Sequence, residues 1–484
     1  MSAENKFYIT TTLPYTNAVP HIGFAAEIVK ADVIARWQRL QGKDVVFNTG
    51  TDEHGLKIYQ LAEAAGLSPR DYCTPFAERY ISLKKSLNLS FTNFIRTSDE
   101  HHEQAAQAFW RRCEAKGDIY KKSYKIKYCV GCEMEKTDSE LVDGCCSYHP
   151  NRELEVIEEE NYFFRFSNYQ NALLDYYEKH PDFVVPNHRF TEIKNFVAGG
   201  LQDFSISRLK SKMPNGVAVP GDDSQVMYVW FDALVNYIST LGWPEDENNF
   251  NAYWPAVQVC GKDNLRQQTA MWQAMLLSAG LPLTRQVLVF GFLTANGKKI
   301  SKSDGNGIDP FLFLEKYGDD ALRYYLLTEI PPFEDGDFSE KRLRLKFNAD
   351  LANGLGNLVA RVGNLLEKNE IKTDLKVDTA AALSRLQTES GLAEYQFNRA
   401  LEFIWREISG CNEELTAKAP WKMTEKAEIE AVLKPLAARI LEIAVMLQPF
   451  LPSTAERVID LFSKSQVIKG EPLFPRLIAE NEGA

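Results

Sequence analysis

The chain has 484 residues and a mass of 55.0 kDa, which is enough for roughly two to four domains. With 45% hydrophobic and 25% charged residues it has the composition of an ordinary globular protein, and no apolar run is long enough to span a membrane. A net charge of -11 argues against non-specific binding to nucleic acid, although a protein of this charge could still bind a specific RNA through local basic patches. The polar N-terminus lacks a signal or transit pattern, which predicts a cytoplasmic protein.

The stretch from Tyr8 to Phe24 begins the first recognisable unit. A β-rich run over 7–12 leads through a polar, proline-containing loop to His21 and Gly23. Apolar residues at helical spacing then predict an amphipathic helix that ends near Gly42, before a second strand over 45–49. His21 and Gly23 therefore lie at a helix N-terminus, where free N–H groups and the helix dipole favour anions.

A second stretch, over 297–309, carries Lys298, Lys299 and Lys302 among three glycines. A mobile loop with two or three ammonium groups can close over a polyphosphate and stabilise its developing charge.

Two loops follow predicted strands, which is where ligands bind in open α/β sheets. Asp52 comes after the second strand, and its carboxylate could hold an ammonium group, although the loop alone leaves a solvated turn equally open. Further along, Gly261 and Asp263 end another strand. Residues 226–231 read as a strand that leads into a helix at Asp232, and aromatic Trp230 and Tyr237 could wall an apolar pocket or simply belong to the core.

Four of the eight cysteines lie within 129–146. Cys129-x2-Cys132 followed by Cys146-x2-His149 has the spacing of a structural Cys3His zinc site, which favours a reducing compartment over a disulfide framework. Cys145 could replace Cys146 only by changing the second spacing. A full set of four ligands predicts a structural metal, with no open catalytic position.

The pattern is wholly helical after Asp337, with helices predicted over 340–367, 380–416, 424–448 and 454–463. Pro435 should kink the third helix, and Ser453 with Glu456 predicts a capping box for the fourth. Asn357 and Arg361 share one helical face, and Trp421 follows a break between helices. An exposed set of this kind could bind unpaired bases, whereas a solvated pair and a packed tryptophan is the simpler account.

His21-Ile22-Gly23-Phe24 and the run from Lys299 to Ser303, KISKS, resemble the two signature motifs of class I aminoacyl-tRNA synthetases, and the surrounding residues are most similar to the methionyl-tRNA synthetases. The resemblance runs from about Tyr8 to about Leu461. It implies an α/β fold: a Rossmann-like parallel-sheet catalytic domain split by a zinc-knuckle insertion, followed by an all-α anticodon-binding bundle. The implied divisions are 1–115 and 226–337 for the two catalytic halves, 116–225 for the insertion and 338–484 for the bundle.

The resemblance also implies the activity, which is ATP-dependent ligation of methionine to its tRNA through methionyl-adenylate. The implied partners are methionine, ATP with Mg²⁺ and both initiator and elongator methionine tRNAs, with one structural zinc per chain and a monomeric state. The string over 201–208 resembles one in the family whose arginine lies near the reacting phosphates, which implies this role for the arginine here. The alternative is a surface arginine in a turn. The residues implied are His21, Lys299, Lys302 and Arg208 for catalysis; His21, Gly23, Gly261, Asp263, Lys299 and Lys302 for ATP; Leu13, Tyr15, Asp52, Trp230, Leu234, Tyr237 and Gln268 for methionine; Cys129, Cys132, Cys146 and His149 for the metal; and Asn357, Arg361 and Trp421 for the anticodon.

Three positions depart from the family pattern. Phe24 replaces a second histidine, Gln268 replaces a histidine at the floor of the methionine pocket, and Ile300 replaces a methionine. Because none of these changes removes a lysine or Asp52, an active enzyme is expected. Another class I synthetase and a tRNA-binding protein with an inactive catalytic domain are the alternatives, while a P-loop ATPase fails because the Walker spacing is absent.

Overall fold

The computed structural model describes residues 5–132, 134–136, 141–295, 298–299, 307–468 and 470–477. No helix among these residues is both long and apolar enough to cross a membrane. The chain divides into two compact units, the first made of Met1–Pro20, Gln38–Ser82 and Ser90–Phe290, the second of His21–Trp37, Leu83–Leu89 and Gly291–Ala484.

The strands in chain order are β1 (Lys6–Thr11), β2 (Asp44–Thr51), β3 (Asn93–Arg96), β4 (Ile119–Cys129), β5 (Met134–Lys136), β6 (Leu141–Val142), β7 (Cys145–Cys146), β8 (Glu155–Phe164), β9 (Val184–Val185), β10 (Phe204–Ser205), β11 (Ser207–Leu209), β12 (Ala218–Val219), β13 (Asp222–Met227), β14 (Val257–Gly261), β15 (Gln286–Phe290), β16 (Leu293–Ala295), β17 (Lys298–Lys299) and β18 (Gly336–Phe338).

The α-helices are α1 (Ile22–Leu40), α2 (Leu56–Ala64), α3 (Pro69–Ser86), α4 (Glu100–Ala115), α5 (Gln170–Lys179), α6 (Asn187–Ala198), α7 (Val229–Ala233), α8 (Asn236–Ser239), α9 (Glu247–Tyr253), α10 (Trp272–Ala279), α11 (Pro310–Tyr317), α12 (Asp319–Thr328), α13 (Glu340–Lys346), α14 (Asn357–Lys368), α15 (Thr379–Glu389), α16 (Phe397–Lys418), α17 (Lys426–Leu447) and α18 (Pro452–Phe462). Gln267–Met271 and Phe347–Gly356 are π-helical.

The first unit is built on a six-stranded sheet in the order β3-β2-β1-β14-β15-β9, and every neighbouring pair is parallel. At its centre, Ile9 of β1 pairs with Phe47 on one side and Val257 on the other. The strand β1 is buried from Phe7 to Thr11, as expected for a parallel sheet covered on both faces. The prediction of an α/β parallel sheet assembled from distant parts of the chain is confirmed, but its edge strand β9 comes from within the stretch 116–225 that was predicted to be the insertion.

Antiparallel sheets occupy the chain between β3 and β14. The order β10-β8-β4-β5 forms one sheet, β11-β13-β12 a second, and β6 pairs with β7 beside the cysteines. An aromatic core then fixes the helix that follows them: the Phe109 ring stacks on Trp272 at 5.5 Å and contacts Phe231 at 5.9 Å and Trp243 at 6.0 Å between ring centroids. Because Phe231 is part of α7, this packing sets the position of that helix.

The second unit contains most of α1, the sheet β17-β16-β18 and a helical region from α11 to α18. In that region α16 packs on α12 and α17, and α17 packs on α18. The predicted C-terminal helical region is confirmed.

Two local predictions are wrong. The helix predicted over 380–416 is two helices, because Gly391 and Tyr395 adopt positive φ values of 78° and 60° between α15 and α16. The strand predicted over 226–231 ends at Met227, and Trp230 lies instead on α7. The helix predicted over 454–463 is confirmed as α18, which begins at Pro452, whose fixed φ suits a first helical position.

The predicted capping box of α18 is also wrong. The Ser453 hydroxyl donates to the Asp319 carboxylate at 2.5 Å, and the Thr454 N–H is bound by Asp320 at 2.5 Å. Carboxylates of α12 therefore take the place of a local cap. Pro435 lies within the continuous α17, and the predicted kink there stays a prediction.

A buried arginine connects four stretches of the second unit. The Arg323 guanidinium is 2.8 Å from the Asp32 carboxylate of α1, and both side chains are fully buried. The remaining Arg323 donors reach the carbonyl oxygens of Phe450 at 2.7 Å, Pro449 at 3.1 Å and Leu87 at 3.2 Å. A buried ion pair stabilises a fold only when its other hydrogen-bonding groups are satisfied, as the arginine's are here.

We predict that Arg323→Met lowers the free energy of unfolding by about 3–5 kcal/mol, because it removes one of the two arginines that pair with the buried Asp32 and also removes the donor to three backbone carbonyls. Urea denaturation followed by circular dichroism measures the change. The exposed pair of Lys464 with Asp460 supplies the control, since Lys464→Met should cost no more than about 1 kcal/mol. Adding Asp32→Asn to Arg323→Met should recover part of the loss, and equal losses in all three variants would contradict the assignment.

Candidate functional site

The carboxyl ends of β1, β2 and β14 lie side by side at one edge of the parallel sheet. Asp52 follows β2, where its N–H donates to the Pro14 carbonyl at 2.9 Å and its carbonyl accepts from the Thr16 N–H at 3.1 Å. These bonds pair Tyr15 with Asp52. Leu13 and Tyr15 are half-buried and the Asp52 side chain is buried. The structure thus brings together three of the residues predicted to bind methionine.

The residue after Asp52 anchors this loop. The buried Glu53 carboxylate receives two hydrogen bonds from the Arg96 guanidinium, at 2.7 Å and 2.9 Å. Hydroxyl groups of Thr51 and Ser98 also donate to it, at 2.9 Å and 2.5 Å. A bidentate, fully satisfied pair holds the backbone in one geometry, so Asp52 keeps a fixed place within this loop.

A buried chain of side chains continues from His54. Its Nδ1 atom is 3.2 Å from the Asp232 carboxylate, and the other Asp232 oxygen lies 3.9 Å from His102 Nε2. The second His102 nitrogen is 3.0 Å from the Ser239 hydroxyl. All four residues are buried, and Glu103 lies 3.9 Å from His54 Nε2 at the exposed end of the chain.

The two histidines differ in charge. Burial lowers the pKa of His54, but the carboxylates of Asp232, Asp52 and Glu103 outweigh burial and raise the pKa to about 9. Burial lowers the pKa of His102. At Asp232, burial favours a higher pKa, but the charge of His54 outweighs it and the pKa is lowered. At neutral pH the site therefore holds a charged His54–Asp232 pair beside a neutral His102.

The remaining residues predicted for the methionine side chain lie on or near α7. Trp230 is half-buried on that helix, and its indole nitrogen has no hydrogen-bond partner in the part of the chain that the structure describes. Leu234 follows the helix and is buried. The buried Gln268 donates from Nε2 to the Tyr237 hydroxyl at 2.6 Å, so the glutamine at this position keeps a polar contact.

Gly261 ends β14 at the same sheet edge, and Asp263 is exposed in the turn after it. Arg208 lies elsewhere, on β11, and it is buried rather than a surface arginine. Its guanidinium contacts the Tyr228 ring at 4.4 Å and the Tyr128 ring at 5.5 Å, and Nη1 donates to the Ser205 hydroxyl at 2.7 Å.

The second unit holds the start of α1. The Phe24 N–H donates to His21 Nδ1 at 3.2 Å, so the histidine ring caps its own helix. In the neutral ring the proton then lies on Nε2, which can donate. Gly23 is required by this arrangement, because a Cβ atom there would lie 2.9 Å from the His21 ring. The Phe24 side chain is buried and supplies no donor.

The end of the lysine-rich stretch and the strand that precedes it both lie beside the start of α1 within this unit. The Ile22 N–H donates to the Ile308 carbonyl at 2.9 Å. On the other side, the Leu293 Cβ is 4.0 Å from the position that a Gly23 Cβ would take. Lys299 pairs with Thr294 through the backbone in β17. Residues 300–306, which include Lys302, lie outside the described residues.

The four predicted metal ligands come together in the first unit. Their ligand atoms, the Cys129, Cys132 and Cys146 sulfurs and His149 Nδ1, all lie within 4.8 Å of one another. The Cys132 sulfur is 3.4 Å from that of Cys146 and 3.1 Å from His149 Nδ1. Ligand atoms of a tetrahedral Zn²⁺ are about 3.3–3.8 Å apart, a range that includes the Cys132–Cys146 separation and lies slightly above the Cys132–His149 separation. Three thiols and one imidazole are also a zinc ligand set, so these residues fit zinc.

The glycines of the knuckle have separate roles. A Cβ atom at Gly131 would lie 2.6 Å from the His149 ring, so glycine lets that ligand approach. Gly144 has a positive φ of 77° before the β7 cysteines.

The residues predicted for the anticodon meet on the second unit. The Arg361 guanidinium lies over the Trp421 ring, 5.1 Å from its centroid, and Trp421 is 46% exposed. Asn357, one helical turn before Arg361, is exposed. The tryptophan is therefore not packed into the bundle.

Sequence reasoning missed the buried pairs beneath Asp52. Arg96, His102 and Asp232 come from three distant parts of the chain, and no local spacing connects them. The only local indication of these pairs was that two ionisable residues, Glu53 and His54, come shortly after a strand.

Comparisons with known proteins agree with one another. The family model described as tRNA synthetases class I (M) matches residues 7–153 and 139–363. The methionine–tRNA ligase of Thermotoga maritima is 40% identical over 98% of this chain and 81% of its own length, and that of Thermosynechococcus vestitus is 42% identical over 98% and 93%. The structure of Mycobacterium tuberculosis methionyl-tRNA synthetase in complex with methionyl-adenylate superposes with a TM-score of 0.90 at 36% identity, covering 98% of this chain and 100% of that one.

We predict one zinc per chain, bound by the Cys129, Cys132, Cys146 and His149 set. Cys146→Ser should lose the metal, and Cys145→Ser, which removes the neighbouring thiol outside the cluster, should keep it. Elemental analysis of the purified variants measures both. Because the ligands bind as thiolates and a neutral imidazole, acid should release the metal from the wild type. Metal loss in the Cys145 variant alone would reverse the ligand assignment.

A second prediction concerns pH. A folded pKa of about 9 for His54, against 6.5 in the unfolded chain, means that the folded protein holds this proton more tightly. The wild type should have a higher free energy of unfolding than His54→Gln. This difference should be largest below pH 6.5 and should disappear as the pH rises through about 9. Denaturation of both proteins across this range gives the difference. The exposed His188→Gln is the control, and a difference that grows with pH would contradict the assignment.

Proposed function

Because this chain belongs to the methionyl-tRNA synthetases of class I and is a methionine–tRNA ligase acting through methionyl-adenylate, we propose which of its residues perform each step. In the first step a methionine carboxylate oxygen attacks the α-phosphorus of ATP, a new P–O bond forms, and pyrophosphate leaves. In the second, a terminal ribose hydroxyl of the tRNA attacks the methionyl carbonyl and AMP leaves. Neither step needs a nucleophile from the protein, so positioning and charge stabilisation are its tasks.

The ATP phosphates are proposed to bind at the start of α1, between His21, Gly23 and the lysine-rich stretch. The observation that carries this assignment is the hydrogen bond from the Ile22 N–H to the Ile308 carbonyl, at 2.9 Å. It attaches the end of the lysine-rich stretch to a helix N-terminus, whose dipole favours anions. His21 would donate from Nε2, and Lys299 and Lys302 would stabilise the departing pyrophosphate. Mg²⁺, when bound, would neutralise part of the phosphate charge.

Methionine is proposed to bind at the sheet edge of the first unit. The buried Asp52 carboxylate would hold the ammonium group by a charge-assisted hydrogen bond. Leu13, Tyr15, Trp230 and Leu234 would enclose the thioether side chain, with Tyr237 and its partner Gln268 at the floor. Gly261 and Asp263, at the end of the neighbouring strand, would contact the ATP ribose and adenine, and Arg208 would act near the reacting phosphates.

The tRNA is proposed to be read by Asn357, Arg361 and Trp421. An exposed tryptophan beside a guanidinium and an amide can stack one unpaired base and hydrogen-bond others. This set would serve both initiator and elongator methionine tRNAs, since they share an anticodon.

The remaining assignments follow the family pattern. We propose catalytic halves over 1–115 and 226–337, an insertion over 116–225 that carries a structural zinc, and an anticodon-binding bundle over 338–484. Unpaired thiols are typical of a reducing compartment, which supports a cytoplasmic enzyme, and we propose that it acts as a monomer.

ATP–pyrophosphate exchange with each amino acid in turn tests the proposed function. Exchange with methionine alone is the expected result. Exchange with a different amino acid would show that the substrate is not methionine. The absence of exchange with all of them would favour a tRNA-binding protein that forms no adenylate.

We predict that Lys302→Ala slows adenylate formation on the order of 100-fold or more, because it removes a charge that acts on the transition state. Methionine affinity should change little, since the lysine is not assigned to that site. Stopped-flow measurement of adenylate formation gives both quantities. Lys464→Ala, which removes an exposed lysine, should match wild type. An unchanged rate in the Lys302 variant would refute its role.

We also predict that Trp421→Ala leaves methionine-dependent pyrophosphate exchange near normal, because adenylate formation needs no anticodon contact. Aminoacylation should lose about 1–3 kcal/mol in kcat/KM, the cost of one lost base stack. Trp421→Phe keeps an aromatic face and should retain most of the activity. Equal losses in both assays with a lower melting temperature would identify Trp421 as a structural residue only.

A further inference from the structure

The proposed methionine site is made from two separate segments. Asp52, assigned to the ammonium group, follows β2, while Trp230 and Leu234, assigned to the side chain, flank Asp232 on α7. The distance between an ammonium-binding carboxylate and an apolar pocket decides which length of amino acid fits. A device that fixes this distance therefore determines specificity.

We propose that the ion pair of His54 with Asp232 is a positioning pair that holds the two segments at a fixed separation and thereby selects the length of the amino-acid side chain. His54 lies two residues after Asp52, and Asp232 lies two residues from both Trp230 and Leu234. The His54 Nδ1 atom is 3.2 Å from the Asp232 carboxylate. This inference rests on the proposed function, because it assumes the methionine roles assigned there.

The ammonium-binding segment has little freedom of its own. Asn215 makes two hydrogen bonds to this segment. Its side-chain amide donates to the Glu53 backbone carbonyl at 2.8 Å, and its backbone carbonyl accepts from the Gly55 N–H at 3.1 Å. Arg96 holds the Glu53 carboxylate from another side. The segment over 52–55 can therefore transmit the position of His54 to Asp52.

The side-chain segment is attached in a similar way. The α7 helix is packed through Phe231 in the aromatic core. The next helix is tied to β2, because Asn48 donates to the Asn236 side chain at 3.2 Å and Asn236 donates to the Ala233 carbonyl at 2.6 Å. Asp232 is thus the charged member of a rigid helix pair, and its contact with His54 joins that pair to the Asp52 loop.

The pair is built to resist separation. The side chains of His54 and Asp232 are 4% and 0% exposed, and burial makes an uncompensated charge expensive. The carboxylates around His54 keep it protonated at neutral pH. His102 faces the same Asp232 carboxylate from α4 but lies 3.9 Å away, without a hydrogen bond to it among the described residues.

This difference makes His102 a matched control. It is as buried as His54 and faces the same carboxylate, but α4 carries no residue assigned to methionine. Damage to the general packing of the site should appear in both histidine variants. A change in amino-acid selection should appear only when the His54–Asp232 contact is lost.

The experiment measures ATP–pyrophosphate exchange for wild type, His54→Gln, Asp232→Asn, the double variant and His102→Gln. The substrates are methionine, S-methylcysteine, which is one methylene shorter, and ethionine, which is one methylene longer. A pocket distinguishes one methylene by about 10–200-fold. In His54→Gln and Asp232→Asn, we expect the methionine KM to rise about tenfold and the preference for methionine over both analogues to fall about tenfold, with the ATP KM nearly unchanged.

The double variant replaces the ion pair with two amides of similar shape that can hydrogen-bond. It should regain part of the preference, because no unpaired charge remains buried. It also keeps the test valid if either single variant fails to fold, which circular dichroism would detect. His102→Gln should lose stability but keep the wild-type methionine KM and preference.

Two outcomes overturn the inference. One is a His54→Gln variant with wild-type methionine KM and preference, and the other is a His102→Gln variant that loses preference to the same degree. A wild-type protein without methionine-dependent exchange would instead overturn the proposed function, so the two failures can be told apart.

Discussion

The buried guanidinium of Arg323 is the contact on which the second unit depends. It joins α12 to Asp32 of α1, to the Leu87 carbonyl and to the carbonyl of Phe450 after α17. The arginine supplies donors to backbone carbonyls and to a buried carboxylate that Arg36 also pairs with, and a buried polar group that loses its donor costs stability. The helix that begins beside His21 is therefore part of the same packing unit as the C-terminal helices. The geometry of the helix start that we propose to bind phosphate is therefore set by residues far along the chain.

The first unit uses the same physical device beneath its sheet edge. Asp52 is assigned to the substrate, but the two residues next to it in this loop are committed to the protein, Glu53 to Arg96 and His54 to Asp232. An enzyme that supplies no nucleophile must act through fixed positions, and buried, satisfied ion pairs provide them. The reacting groups come from the substrates, whereas the protein contributes a rigid arrangement of charge.

Much of this architecture was accessible from the sequence because it depends on local spacing. The strands before His21 and Asp52 and the cluster of three cysteines and one histidine follow from short-range patterns, and the structure places them as predicted. The break at Gly391 was missed, because helical spacing continues on both sides of it. The capping box predicted for α18 was wrong because Ser453 and Thr454 bind carboxylates of α12 instead. The contact of His54 with Asp232 was missed because it joins two residues that are far apart in the sequence. Interactions of this kind depend on tertiary packing, which local pattern does not encode.

The strand order has a consequence for synthesis. The central strand β1 pairs with β2 on one side and with β14 on the other, so its second edge has no partner until the chain has been made to Gly261. At about 5–20 residues per second, that delay is on the order of ten to fifty seconds on the ribosome. During this time an apolar parallel strand edge is open to pairing with other chains. The nascent protein is therefore expected to need a chaperone, or the cover of its own antiparallel insertion, until the sheet can close.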